Sequence, residues 1–291
     1  MKEFSQQILT GERALYDTHD AHISYCTFEN GESPLKESSE LKIEHSLFKW
    51  KYPLWYTKNV SLDHCALFDM ARAGIWYVDN ISVTDTVIEA PKNFRRVNGL
   101  VMKNVDIPNA SETLWNCNQI EMEQVTVRGD YFAMNSKNIK ANHLTLVGNY
   151  SFDGGENIEI YNSRLLSKDA FWNVDNVTVY DSFISGEYLG WNSKNIKLIN
   201  CTIESLQGMC YIDNLVMKNC RLINTTLAFE YSQGDVEIIG NVESVFNLKG
   251  GCIKADYIGE LIMDGRRVRI DQTQIQAGEI GQKSDRPEWE R

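Results

Sequence analysis

The sequence has no apolar run approaching about 18 residues, so no segment is predicted to cross a membrane as a helix. The first ten residues include Lys2, Glu3, Ser5, Gln6 and Gln7 but no apolar stretch, so no secretory signal is expected. The seven cysteines, an odd number, lack Cys-x-x-Cys spacing, and the expectation is free thiols in a reducing cytoplasm. Basic residues are in deficit: 29 Lys and Arg stand against 40 Asp and Glu, a net charge of −11. Phosphate backbones need Lys and Arg, so a nucleic-acid partner is not expected. A polyanionic sugar is disfavoured on the same ground, unless a basic strip or a bound cation offsets the repulsion. No phosphate loop, metal-ligand spacing or nucleophile motif stands out, so neither a cofactor nor a metal is expected.

What is present is a repeat. Asn138, Asn157, Asn176, Asn195 and Asn214 each follow the last by 19 residues. One place after each anchor sit Ile139, Ile158, Val177, Ile196 and Leu215, and eight places after it Leu146, Leu165, Ile184, Ile203 and Leu222. Earlier coils open at Glu40, Asn59, Asn80, Gly99 and Gln119, and Asp235 opens the last clear one, with Val236 and Ile238. A fixed period of this length marks a repeat architecture. Apolar residues two apart in short runs read as strands, and the period is too short for a strand-helix-strand unit. The expected fold is all-β: a right-handed parallel β-helix of ten to twelve coils, 19–21 residues each. Residues 1–270 form the predicted single domain, with an N-terminal cap over 1–20 and regular coils over 40–247. Residues 248–270 alternate out of register, and 271–291 read as a loose polar tail.

Five places after the anchors stand Asp85, Asn104, Asn162, Asp181, Asn200 and Asn219, residues suited to left-handed backbone and to amide ladders between coils. His64 and His143 substitute in that column and read as turn caps rather than catalysts. The small residues beside them, Ser163, Ser182, Cys201 and Cys220, are expected to point inward. Cys201 and Cys220 then become neighbours, as buried thiols or as a disulfide or metal pair.

These coils resemble right-handed parallel β-helix proteins of the pectin-lyase-like superfamily. More narrowly, they are similar to an uncharacterised bacterial family of single-domain β-helix proteins, a domain-of-unknown-function family. The resemblance covers residues 12–270, and its most specific parts are Trp172-Asn173-Val174-Asp175-Asn176 and Trp191-Asn192-Ser193-Lys194-Asn195. It implies the fold and no catalytic residue. The Asn-Thr-Asp, Asp-Asp and Gly-His-Gly motifs of polygalacturonase-like proteins are absent. Arg95-Arg96, the one Arg pair in the regular coils, lacks an acidic cluster in its own coil and reads as surface charge.

The column four places before the anchors reads Trp55, Trp76, Arg95, Trp115, Met134, Asp153, Trp172, Trp191, Cys210, Tyr231. It is either a structural aromatic stack or an outward platform for sugar rings. Arg95 and Asp153 break it, and a charge there must face solvent or meet a partner. If that strand faces out, one patch gathers Asp130, Tyr131, Tyr150, Asp153, Asp169, Trp172, Glu187 and Tyr188. The predicted ligand-binding residues are Arg95, Tyr131, Tyr150, Asp153, Trp172, Tyr188 and Trp191. Asp130, Asp153, Asp169 and Glu187 are the candidate catalytic carboxylates, since glycoside cleavage uses two of them. Three functions remain open. One is a non-catalytic intracellular scaffold binding a ligand or partner, with saccharide as the candidate. The others are a carbohydrate-active enzyme, hydrolase or lyase, and a purely architectural protein.

Overall fold

The computed structural model describes residues 1–288, and the end of the expected tail, 289–291, lies outside them. The chain is a right-handed parallel β-helix, and the described residues contain one short helical turn, Ile270–Gln272. It divides into two compact units, Met1–Gly148 and Asn149–Arg291.

In the first unit, like residues stack on like. Phe4 lies opposite Ile23, and the column continues through Ile43, Leu62, Val83, Met102, Met122 and Ala141. From Ile23 onward alternation buries these side chains, Phe4 of the first coil staying partly exposed, and it turns their neighbours outward, as in Lys58–Asp63, where Val60 and Leu62 are buried. Residues 1–20 are not a separate cap. Lys2–Ser5 and Ile8–Thr10 already form a coil, paired in register with His19–Ser24 and Thr27–Glu29.

In the second unit, Ile158 pairs with Val177 and Val177 with Ile196, as the repeat predicts. Leu165, Ile184, Ile203 and Leu222 form the matching column on the next side of the coil. The coils do not stop at 247. Gly250–Ile262 pairs with Gln233–Ile238 and with Asn241–Phe246. Thr273–Ser284, expected as loose tail, is a parallel strand on Gly250–Ile262, with Ile275 beside Ile253 and Ile280 beside Ile258. The register of the coil at Asp235 differs from the sequence expectation: Val236 pairs with Met217, and Gly234 takes the place opposite Leu215. A Cβ on Gly234 would overlap the Leu215 carbonyl, so an apolar residue cannot mark that position, and an irregularity between Met217 and Cys220 absorbs the difference.

The third side of each coil is built from left-handed residues. In the coil anchored at Asn176, the third side carries Asp169, Phe171 and Asn173 at φ of 57°, 59° and 54°, while Asn176 and Asp181, at 59° and 48°, mark its other bends. These kinks carry a core column that the alternation rule does not show: Leu35, Leu54, Ile75, Phe94 and Leu114 in the first unit, and Phe152, Phe171, Met209 and Phe229 in the second, all buried. Phe152 and Phe171 stack at 5.3 Å. Asn is preferred at the corners because it tolerates left-handed backbone and its amide reaches the adjacent coil. Asn176 donates to Asn157 at 2.8 Å, Asn195 to Asp175 at 2.7 Å and Asn214 to Asn195 at 2.7 Å. Ser163 and Ser182 point inward as expected, and the Ser163 N–H donates to Ser182 Oγ at 2.9 Å. Cys201 and Cys220 are buried free thiols.

Candidate functional site

The aromatic column sits where the third side turns outward. Trp76 follows buried Ile75 and precedes Tyr77, whose φ is 60°, so its ring must lie on the surface of the coil. In the first unit the rings cover one another. Trp55 and Trp76 stack at 5.2 Å and 7°, and the corner tyrosines Tyr56 and Tyr77 at 4.7 Å and 3°. The indole N–H groups are taken by backbone carbonyls of the following coil: Trp55 donates to Ala73 at 2.5 Å, Trp76 to Lys92 at 2.8 Å and Trp115 to Tyr131 at 2.6 Å. Arg95 is no loose surface charge. Its guanidinium lies 4.9 Å from the Trp76 ring and 4.5 Å from the Trp115 ring, and it bonds Glu112 at 2.7 Å. Glu112 belongs to the next coil, so the acid that meets Arg95 lies outside the coil that carries it. A cation between two indoles continues the stack where a tryptophan is missing. With faces and N–H groups engaged, this part of the column is structural.

In the second unit the same column opens. Trp172 and Trp191 are 6.2 Å apart and tilted by 36°, Trp191 and Tyr211 4.6 Å and 40°, Tyr211 and Tyr231 5.3 Å and 48°. Tyr150 meets Trp172 edge-on at 6.0 Å, and Tyr188 meets Trp191 in the same way at 6.0 Å. Cys210 holds the expected column position but is buried against the Gln207 carbonyl, and the Tyr211 ring from the adjacent corner lies over Trp191 instead. Trp172 and Trp191 are half-buried. The Trp172 N–H donates to the Tyr188 carbonyl at 3.1 Å. No acceptor meets the Trp191 N–H among the described residues.

The predicted carboxylates are held in different ways. Asp130 and Tyr131 belong to the first unit, where the Asp130 carbonyl accepts from the Glu112 N–H at 3.0 Å. Asp153, Asp169 and Glu187 belong to the second. Asp153 accepts from the Asn173 amide at 2.9 Å and so caps a corner ladder. Glu187 is held by Lys168 at 3.0 Å. Asp169 is 2% exposed, and its Oδ1 has no hydrogen-bond partner. Burial raises its pKa, against the opposing pull of Lys168 and of a hydrogen bond with Tyr150. The shift is toward the range in which a carboxyl can serve as an acid.

Two features fall outside the residues picked from the sequence. His64, at φ 50°, caps a corner as expected, but its ring and the carboxylates of Asp63 and Asp85 bring ligand atoms within 4.8 Å of one another. Asp85 was visible in the same corner column as His64, so their closeness follows from the period. A groove of about 570 Å³ also runs along the first unit past Glu40, Lys42, Ser61, Asn80 and Ser82, away from the aromatic column.

Among solved structures, the chain is similar to the fluoroquinolone resistance protein QnrB1, at 14% identity over 77% of this chain and 92% of that one, with a TM-score of 0.25. It is similar to the A-module of the mannuronan C-5 epimerase AlgE4 of Azotobacter vinelandii, at 9% identity over 98% and 87% of the two chains, TM-score 0.29. The periplasmic alginate epimerase AlgG aligns at 8% identity over 90% and 77%, TM-score 0.32. Likeness at this level speaks to no activity. No curated protein matches the chain. No helix among the described residues is long and apolar enough to cross a membrane. Residues 2–276 match the sequence model of the proteins of unknown function DUF3737, and the chain belongs to that family.

Proposed function

We propose that this is a carbohydrate-active β-helix protein that takes a saccharide along the splayed stripe of its second unit. Trp172 and Trp191 supply stacking faces, Tyr150, Asp153 and Tyr188 flank them, and Asp169 supplies a proton for cleavage. The observation that carries this reading is Trp191: its ring is tilted away from Trp172, and its N–H has no acceptor among the described residues. An indole with a partly open face and an unused donor suits a ring bearing hydroxyl groups. The unpaired Asp169 Oδ1 and the raised pKa of that carboxyl support the catalytic half.

A non-catalytic saccharide-binding scaffold is the second reading. The Lys168–Glu187 ion pair supports it, because hydrolysis wants a second carboxylate and Glu187 is already engaged. The architectural reading is supported by the first unit alone, where stacking and hydrogen bonds occupy the rings. A cytoplasmic setting is likewise proposed, on the strength of cysteines that stand as free thiols.

One experiment separates these. Neutral oligosaccharides are titrated while indole fluorescence and products are followed, with Trp191→Ala and Asp169→Asn beside the parent chain. Binding lost in Trp191→Ala and cleavage lost in Asp169→Asn support the full proposal. Binding without cleavage leaves the scaffold. No binding to any neutral oligosaccharide overturns both.

A further inference from the structure

One corner row of the first unit carries Tyr25, His45, His64, Asp85 and Asn104, all left-handed. Where an amide stands in this row, adjacent coils are joined by a hydrogen bond: Asn104 donates to Asp85 Oδ1 at 2.5 Å. In the second unit the equivalent corner is joined by Asn200 to Asp181 at 3.0 Å and by Asn219 to Asn200 at 2.8 Å. The step between His64 and Asp85 breaks the pattern. His64 Nε2 and Asp85 Oδ2 are 4.0 Å apart, beyond hydrogen-bond reach.

The chemistry of that gap follows from its neighbours. His64 Nδ1 lies 2.8 Å from Asp63 Oδ1. An ionised carboxylate only accepts, so Nδ1 carries the hydrogen and Nε2 of the neutral ring presents a lone pair. Asp85 Oδ2 is also an acceptor. Two acceptors therefore face each other across a gap of 4.0 Å. Metal–nitrogen and metal–oxygen bonds of about 2.0–2.2 Å meet across such a gap once the two exposed side chains close by roughly 0.5 Å, to the ligand separation of about 3.4 Å that a tetrahedral ion sets. Asp63 is placed as carboxylates are behind metal-bound imidazoles, fixing the tautomer through Nδ1. The His45 ring lies 5.0 Å from the His64 ring, close enough to shield one side of the site. All three side chains reach solvent, so an ion could exchange without the coil opening.

We propose that His64 Nε2 and Asp85 Oδ2 bind a divalent transition-metal ion, with Asp63 orienting the imidazole and water completing the shell. Mixed imidazole and carboxylate ligands suit zinc and its neighbours better than calcium or magnesium. Other histidines offer less. Both ring nitrogens of His22 are engaged, by Glu3 at 2.9 Å and Glu44 at 2.8 Å. His143 has one carboxylate near it, Glu123 at 3.4 Å. The site is independent of the saccharide reading.

The test is calorimetric titration of the full chain with zinc chloride, for the parent, His64→Asn, Asp63→Asn and His143→Asn. Asparagine already occupies this corner in other coils, at Asn104 and Asn200, so His64→Asn is compatible with the fold. The expected result is one saturable site, weakened at least tenfold in His64→Asn and several-fold in Asp63→Asn, and unchanged in His143→Asn. Absence of saturable binding, less than tenfold weakening in His64→Asn, or an equal loss in His143→Asn would overturn the assignment.

Discussion

Trp191 is tilted by 36° from Trp172 at 6.2 Å, where Trp76 lies at 7° and 5.2 Å over Trp55. The same column therefore packs shut in one unit and fans open in the other. Trp76→Ala is expected to lower stability by about 2–4 kcal/mol, read by urea unfolding, because it removes a ring stacked on one side and covered by a cation on the other. Trp191→Ala is expected to cost less stability and to abolish saccharide binding. Equal losses of stability in the two variants would remove the distinction between the units.

Arg95 is expected to act as a stand-in ring. Arg95→Ala should destabilise by about 1–3 kcal/mol, from two cation–π contacts and a partly exposed ion pair. Arg95→Trp, which restores the aromatic column, should recover most of that loss in the same unfolding measurement. An Arg95→Trp variant less stable than Arg95→Ala would refute the stacking role.

Asn195 combines backbone and ladder roles. Its φ is 54°, it donates to Asp175 at 2.7 Å, and it accepts from Asn214 at 2.7 Å. Asn195→Ala should cost about 2–3 kcal/mol, the sum of the left-handed penalty and two weakened amide bonds. Asn195→Gly should cost less, since it relieves the backbone part. If both substitutions have the same effect, the strain argument fails at this corner.

Asp264 sets a pH dependence. Hydrogen bonds from the Arg266 side chain and backbone hold its pKa down at about 2, below the roughly 3.9 of a free aspartate. A depressed carboxyl contributes stability above the unfolded value and loses it as pH falls towards the folded one. Asp264→Asn should therefore lower the Tm at pH 6, and its difference from the parent should narrow between pH 4 and about 2. A difference independent of pH would show that charge is not the cause.

Much of the fold was legible because strand alternation and the coil period reinforce one another. Ile158, Val177 and Ile196 recur at one interval, and they stack. The third side was not legible as core, because left-handed residues replace alternation there. Leu54 and Phe94 are buried with no period-two neighbours to announce them. The ends were misread for a related reason. Gly234 and Gly251 occupy a place that elsewhere holds Leu215 or Ile196, so the apolar signature fades while the strands continue. At the candidate site, the Trp column was visible but its two behaviours were not. Trp191 packs against Tyr211, a residue of the adjacent corner rather than of the column. Partners from the next coil, such as Glu112 for Arg95, lie 17 residues away and outside any local motif.

Side-chain amides that each grip the neighbouring turn also fix how the molecule would yield to tension. Drawn out coil by coil, it should lengthen in discrete steps of 19–21 residues. Each step would release about 65–75 Å of extended chain.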